Sequence, residues 1–330
     1  SLRASAGSFY DFPSNLYLQA FSNAAPFLPI FVRTAINLDN PWATEPGGDP
    51  FPVSYGRGLK SNEARWPAFA LENTLNYDTP TMQVYQWNLS LQRQVAAGWL
   101  ASATYLGNQT VHMWNQRPAN PAVFLGLGPC TLPGTTTVIP VCSTTGNTNQ
   151  RRRLNVENPA TGQFFGAINQ VEAGGTASYN GLILNLERRA GHGITLGTNY
   201  TWSHCITDPG GTPAIQGTSD VGFTNPDNRR FDRGNCASSS TDRRQTFNMS
   251  ATGQTPRFEN SALRALGSGW RFSPIVRILS GDYMTVTTTQ DRALNGVPGQ
   301  RVNQVLENPY GDKTAQNFLN PAAFALPSLA

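Results

Sequence analysis

The stretch ITLGTNYTWS, residues 194–203, decides the fold because its side chains alternate between two chemical characters. Its even positions are mostly apolar (Ile194, Leu196, Tyr200 and Trp202), whereas its odd positions are small or polar. Successive side chains of a β-strand point to opposite faces, so the stretch predicts a strand with one apolar and one hydrated face. Strands in soluble sandwiches usually have about five or six residues, whereas a strand that crosses a bilayer needs roughly 9–11. The length of this alternation therefore favours a membrane-spanning strand.

The same two-sided pattern recurs along the chain, and it predicts an all-β protein. The other predicted strands cover residues 2–10, 84–93, 99–108, 179–188, 243–253, 270–279 and 283–289. Residues 11–78 hold many prolines and give no clear strand pattern, so we expect them to form one long excursion with its own hairpin.

Connections of very different length alternate between these strands. Short turns are predicted at residues 96–98 and 190–193, long loops at 111–177 and 204–242, and an intermediate connection at 256–267. Outer-membrane barrels have short periplasmic turns and longer extracellular loops. The pattern predicts an antiparallel transmembrane β-barrel segment, an incomplete barrel with its long loops outside the cell. A soluble β-sandwich is the alternative, but loops this long are uncommon in compact soluble domains.

The composition excludes several other classes of protein. Charged residues make up 13% of the chain, against about 25% in ordinary soluble domains. The net charge of +4 comes almost wholly from arginine, and Arg151, Arg152 and Arg153 form the only run of three basic residues. A nucleic-acid interface would need a basic patch interleaved with aromatic residues, so we interpret this triplet as part of a solvated loop and predict no nucleic-acid partner. No apolar run reaches the roughly 18 residues of a membrane helix.

Strand alternation also assigns side chains to the two faces of the predicted barrel. We expect Leu89, Leu184, Leu196 and Phe247 to face lipid. The residues expected to face the aqueous lumen are Gln86, Asn88, Thr195, Asn199, Thr201, Asn248 and Ser250. The aromatic residues expected in the girdles at the two membrane interfaces are Tyr85, Trp87, Trp99, Tyr105, Tyr200, Trp202 and Trp270.

Four cysteines fall in the predicted loops. We predict that Cys130 pairs with Cys142, because Pro133, Gly134 and Pro140 between them can bring the ends of a short loop together, and that Cys205 pairs with Cys236 at the barrel lip. Exported proteins pass through an oxidising compartment, in which disulfides persist. The alternative is four free thiols.

Few residues suit catalysis or metal binding. His204, Cys205, Asp208 and Cys236 could be drawn as a metal site, but their spacing fits no standard zinc pattern. Serine-hydrolase, metalloprotease and nucleotide-binding motifs are missing, so we predict neither an enzyme nor a cofactor. Acidic and basic side chains alternate before residue 245, and we expect them to form ion pairs along the loop and the barrel lip. They are Asp227, Arg229, Arg230, Asp232, Arg233, Asp242, Arg243 and Arg244.

Several motifs, taken in order, resemble those of one family. The stretches are YQWNLSLQR (85–93), YLGN (105–108), YNGL (179–182), NYTWS (199–203), DRRQTFN (242–248), SG (280–281), TVT (285–287), RVNQ (301–304) and FLNPAAF (318–324). Together they resemble Oar-like TonB-dependent receptors of the acidobacterial type. The strand after NYTWS departs from the family, because His204 and Cys205 stand where the family usually has a basic tail.

The resemblance implies a function, a location and a set of partners. It implies that residues 1–330 are part of a TonB-dependent receptor barrel in the bacterial outer membrane, with the plug domain and the closing strands outside this sequence. Membrane lipid, an extracellular ligand and the TonB complex, reached through the missing N-terminal part, would be its partners. We expect uptake of a bulky nutrient such as an oligosaccharide or peptide. A non-transporting outer-membrane or secreted β protein that acts in surface binding or adhesion is the alternative.

Overall fold

The computed structural model describes residues 1–11, 38–43, 49, 66–191, 193–208, 223–236, 242–297 and 299–329. The strands are β1 (Leu2–Tyr10), β2 (Ala70–Leu75), β3 (Gln83–Ala96), β4 (Trp99–Pro118), β5 (Cys130–Thr131), β6 (Val138–Ile139), β7 (Phe165–Gly191), β8 (Ile194–Thr207), β9 (Gly234–Asn235), β10 (Gln245–Gln254), β11 (Arg271–Phe272), β12 (Ile275–Leu279), β13 (Asn303–Gln304) and β14 (Phe324–Ala325). The α-helices are α1 (Arg153–Glu157), α2 (Pro159–Gly162) and α3 (Ser261–Gly267). Single 3₁₀ turns cover Thr145–Asn147, Asn149–Arg151, Arg229–Asp232 and Pro321–Ala323.

One sheet of ten strands dominates the described residues. Its main path runs β1-β3-β4-β7-β8-β10, with β11 and β12 on the outer edge of β10. Every pair along this path is antiparallel. In the described residues, β1 forms one edge of the sheet and β11 with β12 the other. The all-β prediction and the order of the long strands are confirmed.

The connections separate to opposite ends of the sheet. At the end that we call the turn end, β3 joins β4 at Gly98 and β7 joins β8 at Gly193; both glycines have a φ of +76°, which tight turns often require. The connection from β10 to β11, which includes α3, also lies there. At the other end, the loop end, the long connections leave β1, β4, β8 and β12.

Two strands are much longer than the sequence predicts. The predicted loop 111–177 was wrong at both ends, because β4 continues to Pro118 and β7 begins at Phe165. The register between these strands shifts on either side of Met113, and His112 has a φ of +55°. Such bulges place an extra residue in one strand and interrupt the period of two, so the alternation no longer reveals the strand.

The predicted strands at the C-terminal end of the sheet were wrong in detail. Residues 270–279 form two strands, β11 and β12, with a break at Pro274, which has no backbone N–H to donate to a ladder. Residues 283–289 are not a strand, because an isolated bridge from Thr287 to Arg301 and two further backbone bonds are all that pair this segment with residues 300–302.

A short strand lies within the region that gave no pattern. β2 pairs in parallel with the start of β7, from Glu72 opposite Ile168 to Leu75 opposite Val171. Its first four residues are buried. The expected excursion through residues 11–78 otherwise falls largely on residues 12–37, 44–48 and 50–65, which lie outside the described residues.

Buried side chains concentrate at the loop end, where Val171 and Phe223 are fully buried. The lower part of the sheet instead exposes large apolar side chains, including Leu91 (57% exposed) and Trp202 (55%). Large exposed apolar patches mark contacts with a membrane or with another protein. The apolar side chains exposed on the strands therefore mark a surface for an apolar partner, whereas the loop end has a protein core of its own.

Candidate functional site: a cleft in the loop layer

The polar face of the sheet carries all seven residues predicted to face the lumen. Directly paired residues of antiparallel strands share a face, so the register decides which side chains lie together. Reading it from β3 to β12 places these seven residues on one face, opposite the four residues predicted to face lipid. One polar row consists of Gln92, Ser102, Asn185, Asn199, Asn248 and Arg277. That this face lines a lumen stays a prediction.

Hydrogen bonds between side chains join neighbouring strands along this polar face. Asn185 donates to Ser102 over 3.1 Å, and Asn248 donates to Asn199 over 2.8 Å. The opposite face has a matching apolar row at similar height: Leu2, Leu91, Ala103, Leu184, Tyr200, Phe247 and Ile278. The sheet thus separates a hydrogen-bonding surface from an apolar one.

Above the sheet, the described parts of the long connections form a single packed body, which we call the loop layer. It comprises residues 119–164, 223–236 and 280–329. Arg151, fully buried, connects its parts by donating to the carbonyl oxygens of Val123, Thr144 and Leu294. Burial lowers the pKa of Arg151, and nearby Asp291 partly offsets that effect. The predicted solvated loop at residues 151–153 was wrong for Arg151 and Arg152, whose side chains hold the layer together.

Both predicted cysteine pairs are joined in the structure. The disulfide Cys130–Cys142 closes the hairpin of β5 and β6, and Cys205–Cys236 joins the end of β8 to the segment after β9. His204 contacts Asn235 over 2.8 Å on the same two strands. Asp208, the remaining member of the metal alternative, is 2.8 Å from Arg233 and accepts hydrogen bonds from Thr176.

Ion pairs fix the loop layer to the tops of β4 and β7. The Glu172 carboxylate binds Arg117 over 3.1 Å and also binds Arg229, whose guanidinium lies against Gly174. A β-carbon at position 174 would overlap that guanidinium, so a larger residue there would displace the end of the Arg229 side chain. Ion pairing was predicted here, but the partners come from distant elements rather than from the same loop.

The remaining charged residues of this region differ in whether they form ion pairs. Asp227 pairs with Arg153, and Arg243 pairs with Asp282. Asp242 was expected to pair as well, yet its buried carboxylate oxygens accept no hydrogen bond from the described residues. The ion-pair prediction was therefore wrong for Asp242.

A cleft of about 310 Å³ opens in the loop layer. Its wall combines amide, hydroxyl, aromatic and aliphatic side chains with one cation. The lining residues are Gly234, Asn235, Tyr283, Met284, Thr285, Val286, Arg301, Val302, Gln304 and Phe324. Small-molecule sites typically combine a mostly apolar wall with a few placed polar groups, and they occupy about 300–1,000 Å³. The volume of the cleft is at the lower end of that range, and its wall is more polar than that of a typical small-molecule site.

A second cavity of about 140 Å³ shares Arg301 and Thr285 with this cleft. The buried Asp232 also lines it and accepts hydrogen bonds from both the backbone N–H and the hydroxyl of Thr224. Thr285 and Arg301 line both cavities, so the Arg301 side chain lies between them.

None of the residues that line the cleft was predicted from the sequence to be a site residue. The cleft lies between segments far apart in the chain, and one of them was predicted as a strand. A signal was nevertheless present: three of the stretches that carry the family resemblance, 285–287, 301–304 and 318–324, contribute Thr285, Arg301 and Phe324 to its wall.

Among the described residues, no helix is long and apolar enough to cross a membrane. A family model described as an outer membrane beta barrel domain matches residues 1–330. No curated protein and no solved structure matches the chain.

Proposed function

Because the chain belongs to the outer membrane beta barrel domain family, we propose that it forms part of a TonB-dependent transporter that takes up a bulky nutrient such as an oligosaccharide or peptide. Family membership places the protein in the outer membrane, in contact with its lipid. We propose that the apolar face of the sheet makes this contact. The nutrient, the TonB complex and the direction of transport belong to the proposal.

The observation that carries the proposal is the position of the cleft. It lies in the loop layer, at the end of the sheet from which all long connections leave, and this end faces outward in outer-membrane barrels. A nutrient receptor needs an outward binding site above a hydrated passage. We propose that the loop layer provides the first and that the polar face of the sheet provides the second.

The TonB-dependent part of the proposal is supported by the order of the resembling motifs. We propose that the TonB complex acts through the N-terminal part of the full protein. We propose that the chain binds the nutrient and lines its passage, and that it catalyses no reaction.

Surface binding without transport is the second candidate. Two disulfides and a buried arginine make the loop layer a rigid platform, as an adhesive surface requires. The two candidates differ in their need for energy, because a TonB-dependent transporter works only with an energised inner membrane.

A deletion of the full gene in its native host tests the proposal. We expect the deletion strain to lose uptake of one class of labelled oligosaccharide or peptide, and we expect a tonB deletion or a protonophore to abolish the same uptake in the parent. Uptake that survives both treatments would contradict the proposal. Loss of surface attachment without any loss of uptake would instead support the second candidate.

A further inference from the structure

The cleft has a definite charge. Among its described lining residues, Arg301 is the only charged one, and no carboxylate faces it. We infer that the cleft binds a carboxylate group of the transported nutrient through the guanidinium of Arg301. This inference rests on the proposed function and names the chemical class of its ligand.

Arg301 keeps hydrogen-bonding capacity for a ligand. Its Nε lies 3.8 Å from the Asp232 carboxylate, which is longer than the roughly 2.7–2.9 Å of a charge-assisted hydrogen bond. Asp232 is already bonded twice by Thr224. The Arg301 side chain is 43% exposed, and no described residue hydrogen-bonds its Nη atoms. A guanidinium with free donors in a fork matches the geometry of a carboxylate.

Tyr283 adds a second donor on the wall of the cleft. Its phenolic oxygen accepts a hydrogen bond from Nε of Arg244 over 2.5 Å, and the Arg244 guanidinium lies 5.4 Å from the centre of the Tyr283 ring. A phenol that accepts from a cation still has its own hydrogen to donate. Arg244 has no carboxylate partner among the described residues, so it adds positive potential behind Tyr283.

The nearby acids leave the Nη donors of Arg301 available: Asp232 pairs with Arg301 on the side of Nε and offsets part of its charge. Asp282, next to Tyr283 in the chain, is 2.9 Å from Arg243, and Asp232 is only 4% exposed. The rest of the wall offers amide groups from Asn235 and Gln304 and apolar contacts from residues such as Phe324. At about 310 Å³ the cleft holds one sugar or one amino-acid unit rather than a whole oligomer. It therefore suits an acidic end group of a longer ligand.

Binding to the full-length protein in detergent, measured by calorimetry at low ionic strength, tests the inference. The probes are a uronic-acid disaccharide with its neutral hexose counterpart, and a dipeptide with its C-terminal amide. We expect one carboxylate probe to bind at least tenfold more tightly than its uncharged counterpart, and the pair that shows the difference identifies the nutrient as saccharide or peptide. Equal binding within both pairs, or no binding by either carboxylate, would overturn the inference.

Variants of Arg301 test whether this residue binds the carboxylate group of the ligand. Arg301→Gln should remove the tenfold preference, and Arg301→Lys should retain part of it because the charge remains. Arg153→Gln is the matched control, since Arg153 pairs with Asp227 in the same layer and lies outside the lining of the cleft. A preference that persists in Arg301→Gln overturns the inference, provided that intact Cys205–Cys236 in peptide maps shows the variant to be folded.

Uptake assays separate this inference from the proposed function. Energy-dependent uptake by the wild type, with binding unchanged in Arg301→Gln, would refute the carboxylate site and leave transport standing. A carboxylate preference that depends on Arg301, without energy-dependent uptake, would refute transport and leave the site standing.

Discussion

Individual residues at the top of the sheet show how closely the loop layer and the strands fit. Gly166, at the start of β7, lies where β2 joins the sheet. A β-carbon there would overlap the carbonyl oxygen of Phe69 and come within 2.8 Å of that of Ala70. A backbone group cannot rotate away as a side chain can, so only glycine permits this approach.

The first prediction follows from that contact. Gly166→Ala should loosen β2 from β7 and cost roughly 1–3 kcal/mol, the usual range for overpacking. Limited proteolysis should then cut within residues 66–76 faster than in the wild type. Gly253→Ala is the matched control, because Gly253 lies in β10 with open space around its missing β-carbon. Equal protection of both variants would contradict this account of Gly166.

Glu172 gives a second prediction at the same scale. Its carboxylate is the shared partner of Arg117 and Arg229, and its side chain is only 10% exposed. Removal of one member of a buried charge cluster typically costs about 3–5 kcal/mol, because the remaining charges lose their partner. Glu172→Gln should therefore destabilise the loop layer by a similar amount, measured by urea denaturation in detergent.

The control for Glu172 uses an exposed ion pair of the same layer. The Asp227 side chain is 64% exposed in its pair with Arg153, and surface pairs contribute about 0–1 kcal/mol. Asp227→Asn should thus have little effect. Equal urea midpoints for Glu172→Gln and Asp227→Asn would contradict a larger stabilising contribution from the buried Glu172.

The assignment of strand residues to a lipid face and a lumen face gives the third prediction. Leu184 of β7 lies in the apolar row, whereas Thr201 of β8 lies on the opposite face at a neighbouring height. An arginine on the lipid face near the midplane costs about 2–4 kcal/mol, and a lumen position tolerates it far better. Leu184→Arg should reduce folding into lipid vesicles by that amount, and Thr201→Arg much less. Equal cost at both positions would refute the two faces.

The strands also show how much of the fold could be predicted from the sequence. The period of two revealed β1, β3, β8 and β10, because a regular antiparallel ladder repeats its environment every second residue. It failed for the upper part of β4, where bulges break the period, and for β2, whose pairing with β7 is parallel and non-local. Arg301 was missed for a related reason: the walls of its cleft come from segments joined only by the fold.

The whole molecule has two ends with different roles. Turns lie at one end, and a disulfide-linked loop layer with the cleft lies at the other. Among the described residues, β1 and β12 each have an edge without a partner strand. Such edges need partners within a bilayer, because hydrocarbon does not satisfy open backbone groups. We therefore expect these edges to be paired in the membrane.

The measurement that tests this account most directly is thiol labelling of the full-length protein on intact cells. The native cysteines are all in disulfides, so single cysteines introduced at exposed positions report their own location. A membrane-impermeant maleimide should label Thr136→Cys, in the loop layer, on intact cells, and Ala97→Cys, at the turn end, only after the outer membrane is permeabilised. Labelling of Ala97→Cys but not of Thr136→Cys on intact cells would contradict the orientation and, with it, the outward cleft.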